Sequence, residues 1–327
     1  MTLLGHHSPL LRLANAVRGL ARRPVPRGPR EEVFVIGHRG APKHAPENTV
    51  ESFAKAIAFG ADAIETDVCV TRDGRFVLWH DCQPDDKVAL VRQASGESYL
   101  YEPDVPPVGS PWRRPVGDLD LADFLAHHGY VRSDDGRGKG RVPVALLEDF
   151  FTWARDTSEL ALLCLDVKLG EKETAPAREL ARLLRDARRS GRLPEHVAVA
   201  MLCPQKEVLM AALTESRREP LGEGIRVFAD FEFPGVLDFA SRYGARCVSM
   251  GIRRRFWTDF ADELGDVLAA REAGRIESVI VWTENDEERL RELVALGVDG
   301  ILTDEPELLR GIVGAKAGRP EEAEAPR

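Results

Sequence analysis

Histidines and carboxylates standing at the ends of apolar runs are the residues of this chain whose types suit chemistry. His38 and Arg39 follow the run Val33–Gly37. Glu65 and Asp67 lie in Ala63–Val68, and His80 closes Arg75–His80. Asp166 and Lys168 end Ala161–Val167, and Trp282 ends Ser278–Trp282. Two acids on one face repel unless a positive charge neutralises them. With Asp166 as a third, they suit one hard divalent cation, Mg²⁺ or Ca²⁺. Zinc has less need of three acids with no Cys, although histidine is a zinc ligand. Two histidines flanking such a centre suit general acid–base catalysis. Arg39, with its fork, and Lys168, as a point charge, suit the oxygens of a phosphate. The alternative reading is a salt-bridged acidic rim in which Arg39 and Lys168 do no more than neutralise. His6, His7, His127, His128 and His196 lack such company and are read as structural; His44 lies near the cluster but is secondary.

The elements that must hold these residues alternate. Apolar, often β-branched runs occur at Val33–Gly37, Ala63–Val68, Ala161–Val167, Val197–Met201, Ile225–Ala229, Arg246–Ser249, Ser278–Trp282 and Gly300–Leu302. A helical pattern follows each. The first is Thr49–Phe59, with a stripe at Val50, Phe53, Ala54, Ile57 and Ala58; later ones are Ala175–Arg189, Asp259–Ala273 and Asp286–Leu296. Pro204, Pro234 and Pro306 stand near helix starts, and Gly60, Gly244, Gly274 and Gly297 just past helix ends. Strands alternating with helices make a parallel sheet wrapped by helices, and eight units are the number that closes a (β/α)8, or TIM, barrel. Its chemistry belongs at the strand ends, where the polar residues cluster.

One break in the alternation predicts a β-hairpin after the second strand. Asp73-Gly74 between two strand patterns is a hairpin signal. A two-residue turn there sets Asp67 opposite His80 and, by alternation, Glu65 on the same face. Residues 82–142 then lose any sustained period. They are rich in Pro, Gly and Asp, with Tyr99, Tyr101, Trp112, Phe124 and Tyr130 interspersed. They read as an inserted subdomain or lid over the barrel mouth, within a barrel domain of 31–314.

The 327 residues carry 45 Lys+Arg against 54 Asp+Glu, a net charge of −9. So acidic a chain is not built to bind nucleic acid. No apolar run approaches the ~18 residues of a membrane span. Five cysteines without CxxC spacing argue against a disulfide framework and for a cytoplasmic location. The ends differ from the body. Residues 1–30 hold six Arg and no acid. Ser8-Pro9 opens a helical stripe at Leu10, Leu13, Ala14, Val17 and Leu20, flanked by Arg12, Arg18, Arg22 and Arg23. This is either a basic amphipathic helix making peripheral contact with a membrane through residues 8–23, or an extra helix on the domain. The tail 315–327 has a disordered composition.

The motifs resemble the glycerophosphodiester phosphodiesterase family. His38-Arg39-Gly40, Pro46-Glu47-Asn48-Thr49, Gly60-Ala61-Asp62, Glu65-Thr66-Asp67-Val68, Thr71-Arg72-Asp73-Gly74 and His80-Asp81 stand in the family's order. Trp282-Thr283-Glu284-Asn285 and Gly297-Val298-Asp299-Gly300-Ile301-Leu302-Thr303-Asp304 are similar to its C-terminal signatures. The resemblance implies hydrolysis of glycerophosphodiesters to an alcohol and glycerol phosphate by a metal-dependent TIM barrel. It implies that Glu65, Asp67 and Asp166 hold the ion, that His38 and His80 are the acid–base pair, and that Arg39 and Lys168 bind phosphate. It further implies that Glu47 orients the site, that Asn48 caps the first helix or contacts phosphate, and that Trp282 walls the substrate cleft.

Two segments depart from the pattern. Asp166-Val167-Lys168 replaces the usual Glu-x-Lys and is similar to sphingomyelinase D and phospholipase D-like barrels, which lack the Pro-Glu-Asn-Thr segment. Arg141-Val142-Pro143-Val144 only loosely resembles the family's Pro-Thr-Leu. The alternatives are a lysophospholipase D or sphingomyelinase D-like enzyme acting on lipid phosphodiesters, and a non-catalytic barrel that binds phosphate or lipid. A carbon–nitrogen hydrolase on the same fold is more remote, because Arg39 and Lys168 favour phosphate. The alcohol, the choice of ion and the oligomeric state are not set by these residues.

Overall fold

The computed structural model describes residues 33–94, 99–132, 140–252 and 256–317. Eight parallel strands close on themselves in the order β1 (Phe34–Gly37), β2 (Ala63–Val70), β6 (Leu162–Val167), β7 (Ala198–Cys203), β8 (Ile225–Glu232), β9 (Cys247–Gly251), β10 (Ser278–Trp282) and β11 (Gly300–Thr303), with β11 pairing back onto β1. The fold is the TIM barrel expected from the alternation. Between the strands run α1 (Val50–Ala58), α4 (Leu147–Arg155), α5 (Thr174–Arg189), α6 (Lys206–Arg218), α7 (Val236–Tyr243), α8 (Trp257–Glu272), α9 (Glu287–Leu296) and α10 (Pro306–Ala317).

Local chemistry explains the boundaries. Thr49 caps α1 by accepting from the Ser52 amide, and Asp286 caps α9 by accepting from the Arg289 amide. Gly244 and Gly297 end α7 and α9 in the left-handed region, which costs glycine little. On α5, Ala177, Leu180, Ala181, Leu184 and Ala187 are buried at helical spacing, so one face packs on the sheet.

Strand alternation divides the core. Val35, Ile64, Leu163, Val199 and Val248 point outward under the helices. Ile36, Ala63, Cys164, Leu202, Phe228, Cys247, Ile280 and Leu302 fill the inside. Continued one or two steps toward the strand ends, the inward parity reaches His38, Glu65, Asp67, Asp166, Asp230, Trp282 and Asp304.

The hairpin differs from expectation by one residue. β2 pairs with β3 (Phe76–Leu78) as Val68 with Leu78 and Val70 with Phe76, so Asp67 lies opposite Trp79 rather than His80. Gly74 donates to the Thr71 carbonyl and has φ +79, while Asp73 keeps a negative φ. The turn is therefore a three-residue loop with glycine as the bulge, not a two-residue turn. His80 reaches the site because the chain leaves the ladder after Leu78.

Beyond His80, α2 (Lys87–Gln93), α3 (Leu121–His127) and the antiparallel pair β4 (Tyr101–Asp104) and β5 (Gly129–Arg132) form a small unit against the hairpin. Its own core gathers Val77, Trp79, Val116, Leu119, Phe124 and Tyr130. Cys69 and Cys82 pair as a disulfide across 6.0 Å between Cα atoms, a correction to the cysteine reading. Spacing along the chain did not expose this contact, because the hairpin creates it. Cys164, Cys203 and Cys247 are free and buried. The basic segment 1–30 and most of the tail 315–327 lie outside the described residues. No helix among the described residues is long and apolar enough to cross a membrane.

Candidate active site

Register brings the acids together. β2 and β6 align Asp67 with Asp166 and Glu65 with Cys164. One oxygen each from Glu65, Asp67 and Asp166 lies within 4.8 Å of the others. Glu65 and Asp67 are buried and Asp166 is partly exposed. Burial, then the charges of Asp67 and Asp166, raise the Glu65 carboxyl well above its ordinary range. Burial would raise Asp67 too, but Arg39, His80 and Lys168 hold it well below. Asp166 Oδ1 is buried and accepts no hydrogen bond among the described residues. An orphaned carboxylate oxygen beside two further acids is satisfied by one hard divalent cation, so the donor set fits such an ion.

The cations are part of the same cluster. Arg39 Nη1 donates to Glu47 Oε2 at 2.8 Å, and its Nε lies 3.0 Å from Asp67 Oδ2. The Arg39 amide donates to Glu65 Oε2 at 2.9 Å. Lys168 Nζ lies 2.5 Å from Asp166 Oδ2 and 3.3 Å from Asp67 Oδ1. These are the ion pairs of the neutralised rim. They also leave both cations beside the carboxylates, where a phosphate would meet them.

Each imidazole is backed by a carboxylate. His38 Nδ1 donates to Asp304 Oδ1 at 2.7 Å, and His80 Nδ1 donates to Asp81 Oδ1 at 2.6 Å. Such a bond fixes the tautomer and leaves Nε2 as the nitrogen open to proton exchange. Both rings keep about 15% of their side-chain surface at the rim (16% and 15%). Burial and the neighbouring Arg39 push His80 down to about 4, so it is neutral near pH 7. Burial would raise Asp304, but His38 holds it below the ordinary carboxylate range.

Asn48 does not cap α1, which corrects one of the two roles expected of it. Thr49 is the cap, and Asn48, at φ +56, turns inward. Its Nδ2 donates to Asp67 Oδ2, and its Oδ1 accepts from Thr66 Oγ1 and the Asp67 amide. Glu47 accepts from Arg39 on one oxygen and from Arg92 on the other. Trp282 stands half-buried at the end of β10, donating to Asp230.

Several residues were missed as site members. Arg92, on α2, bridges Glu47 and Asp81 and so links the supports of Arg39 and His80. Asn285 Nδ2 and Tyr99 OH both donate to Asp304. Asp81 and Asp304 had a signal, an acid beside a candidate histidine or at a strand end. Arg92 had none, since only the folded insertion brings it inward.

Comparison with known proteins places this geometry among relatives. The glycerophosphoryl diester phosphodiesterase family model matches residues 38–209, and a second model of that description matches residues 278–307. The Bacillus subtilis protein YqiK is 27% identical over 274 residues, 84% of this chain and 95% of its own. A glycerophosphodiester phosphodiesterase from Caldanaerobacter subterraneus is 42% identical over 71 residues, 22% of this chain and 27% of that protein. A crystal structure from Silicibacter pomeroyi shares the fold with a TM-score of 0.64 at 24% identity, covering 89% of this chain and 96% of that one.

Proposed function

Because this chain belongs to the glycerophosphoryl diester phosphodiesterase family and is a phosphodiesterase, we propose that it hydrolyses glycerophosphodiesters to an alcohol and glycerol phosphate with His38 and His80 as its acid–base pair. The observation that carries this reading is the pair of carboxylate-backed imidazoles beside three converging acids. Glu65, Asp67 and Asp166 would hold one divalent cation, Mg²⁺ or Ca²⁺, which when bound supplies charge neutralisation at a phosphate oxygen.

His80, neutral at working pH, takes the proton of the attacking water or glycerol hydroxyl. His38, backed by the ionised Asp304, delivers a proton to the leaving alkoxide. One P–O bond forms and one breaks, and the two protons balance. Lys168 and Arg39 hold the non-bridging oxygens, and Trp282 walls the alcohol side of the cleft. Attack by a glycerol hydroxyl passes through a cyclic phosphate before water opens it.

Replacing His38 or His80 with Ala tests the assignment. Release of glycerol phosphate from glycerophosphocholine is expected to fall by about 10²–10⁴-fold. Near-normal turnover in a folded, cation-replete variant overturns it.

A second reading, cleavage of a lipid phosphodiester at a membrane surface, is favoured by one observation. Val88, Leu90 and Val91 stand exposed on α2, whose other side carries Arg92 into the site. Faster turnover of a long-chain lysolipid than of glycerophosphocholine, lost in V88D/V91D, would select it.

A further inference from the structure

Asp230 has no part in the reaction above, yet it is an ionisable side chain 4% exposed inside the barrel. It continues the inward parity of Phe228 on β8 and pairs in register with Ser249 on β9. Phe228 and Leu202 fill the neighbouring inward layer with apolar volume. A carboxyl in such surroundings costs stability unless it is partnered. The indole of Trp282 is one such partner, its Nε1 donating to Asp230 Oδ1 at 2.7 Å, and the Ser249 side chain and the charge of Lys168 also act on the carboxylate. Burial, then the charge of Asp166, pushes the Asp230 carboxyl up to about 7.

The same indole is fixed at its other edge. Gly251 pairs with Trp282 across β9 and β10. A Cβ on Gly251 would come within 2.8 Å of Trp282 Cη2 and 2.9 Å of its Cζ2. A side chain at 251 would thus displace the ring, whereas the glycine's own backbone stays outside the left-handed region. With an acceptor on the pyrrole side and a bare backbone under the benzo side, the ring has one place to lie. That place is above the inner core and beside the acid cluster, where Trp282 is only half-buried.

We propose that Asp230 and Gly251 are positioning residues that hold the Trp282 ring as a fixed wall and so determine which alcohol group fits beside the phosphate. The proposal rests on reading Trp282 as a cleft wall, and the experiment separates the two. Steady-state kinetics on glycerophosphocholine would be measured for W282F, D230A, D230N, G251A and the double variant W282F/D230A, with acrylamide quenching of tryptophan emission measured in parallel. W282F is expected to raise KM about tenfold with kcat within about threefold. D230A and G251A are expected to do the same and to expose one further tryptophan to quencher. D230N, which keeps an acceptor, is expected to restore KM to within about threefold of wild type. The double variant is expected to be no worse than W282F alone, because both changes lose one wall.

If W282F raises KM while D230A leaves both KM and quenching unchanged, the positioning role is overturned and the wall stands. Additive losses in the double variant also overturn it. An unchanged KM in W282F overturns the wall and the proposal together. D230N and G251A keep the test decisive if D230A does not fold.

Discussion

Each imidazole of the proposed acid–base pair is held at Nδ1 by a neighbouring carboxylate. Asp304 is the clearer case, because it also collects donors from Asn285 and Tyr99 and so is itself held at two oxygens. Replacing Asp304 with Ala frees the His38 ring to rotate and releases the tautomer that the carboxylate fixes. A misplacement of about 1 Å costs on the order of 10²-fold in rate, so kcat for glycerol phosphate release is expected to fall by about that factor. KM is expected to change little, since Asp304 lies behind the histidine. A loss confined to KM would place Asp304 in substrate binding instead. At this scale the chain was largely legible. The acids and histidines announce themselves as polar residues on inward strand positions, and parity alone delivers Asp304 beside His38. Asn48 stayed open between two roles because a residue next to a helix start has two polar tasks available to it. Its left-handed backbone, which sequence does not display, selects the inward one.

Elements were legible where period and punctuation agreed and illegible where a loop had to be counted. The eight strands and their helices follow from apolar periodicity closed by Gly and Pro. The hairpin register slipped because Asp-Gly serves two turn types, and only Asp73 φ tells them apart. Helix α2 was hidden in the aperiodic stretch, although its buried Arg92 joins Glu47 to Asp81. Removing that guanidinium leaves two buried carboxylates facing each other, a loss of about 3–5 kcal/mol. R92A is thus expected to lower the urea midpoint strongly and to reduce kcat. An unshifted midpoint would show that water replaces the guanidinium at no cost. The end of α3 makes a separate prediction. His128 is 2% exposed, lies against Phe124 and Trp79, and is pushed by burial down to about 4 from 6.5. Between those values the unfolded chain takes up a proton that the folded chain refuses. Its contribution is therefore complete above pH 6.5 and is lost as pH falls toward 4, by up to about 3 kcal/mol. In H128Q, chemical denaturation at pH 7 and pH 4.5 is expected to show a shallower acid loss than in wild type. An unchanged slope would mean that His128 protonates in place.

At the scale of the whole barrel, closure decides the electrostatics. Strands from the first and second halves of the chain deliver Glu65, Asp67, Asp166 and Asp230 to one end of a single inner surface. Arg39 and Lys168 offset part of that charge, yet Glu65 is still raised, by burial and by Asp67 and Asp166. The folded state therefore carries a repulsion that the unfolded chain does not. An ion that binds only the folded state relieves it and stabilises by mass action, about 2.7 kcal/mol at a hundredfold excess over Kd. For a domain of this size that is a rise in Tm of roughly 4–5 °C. Thermal unfolding with chelator, then with excess Mg²⁺ or Ca²⁺, reads this directly. The rise is expected in wild type and H38A alike, because the imidazole lies outside the proposed ligand set. In D166N the rise is expected to shrink or vanish, because one of the three oxygens offered to the ion is lost. If chelator and cation leave the wild-type Tm unchanged, Arg39 and Lys168 already complete the neutralisation and the three acids form a salt-bridged rim with no ion to hold.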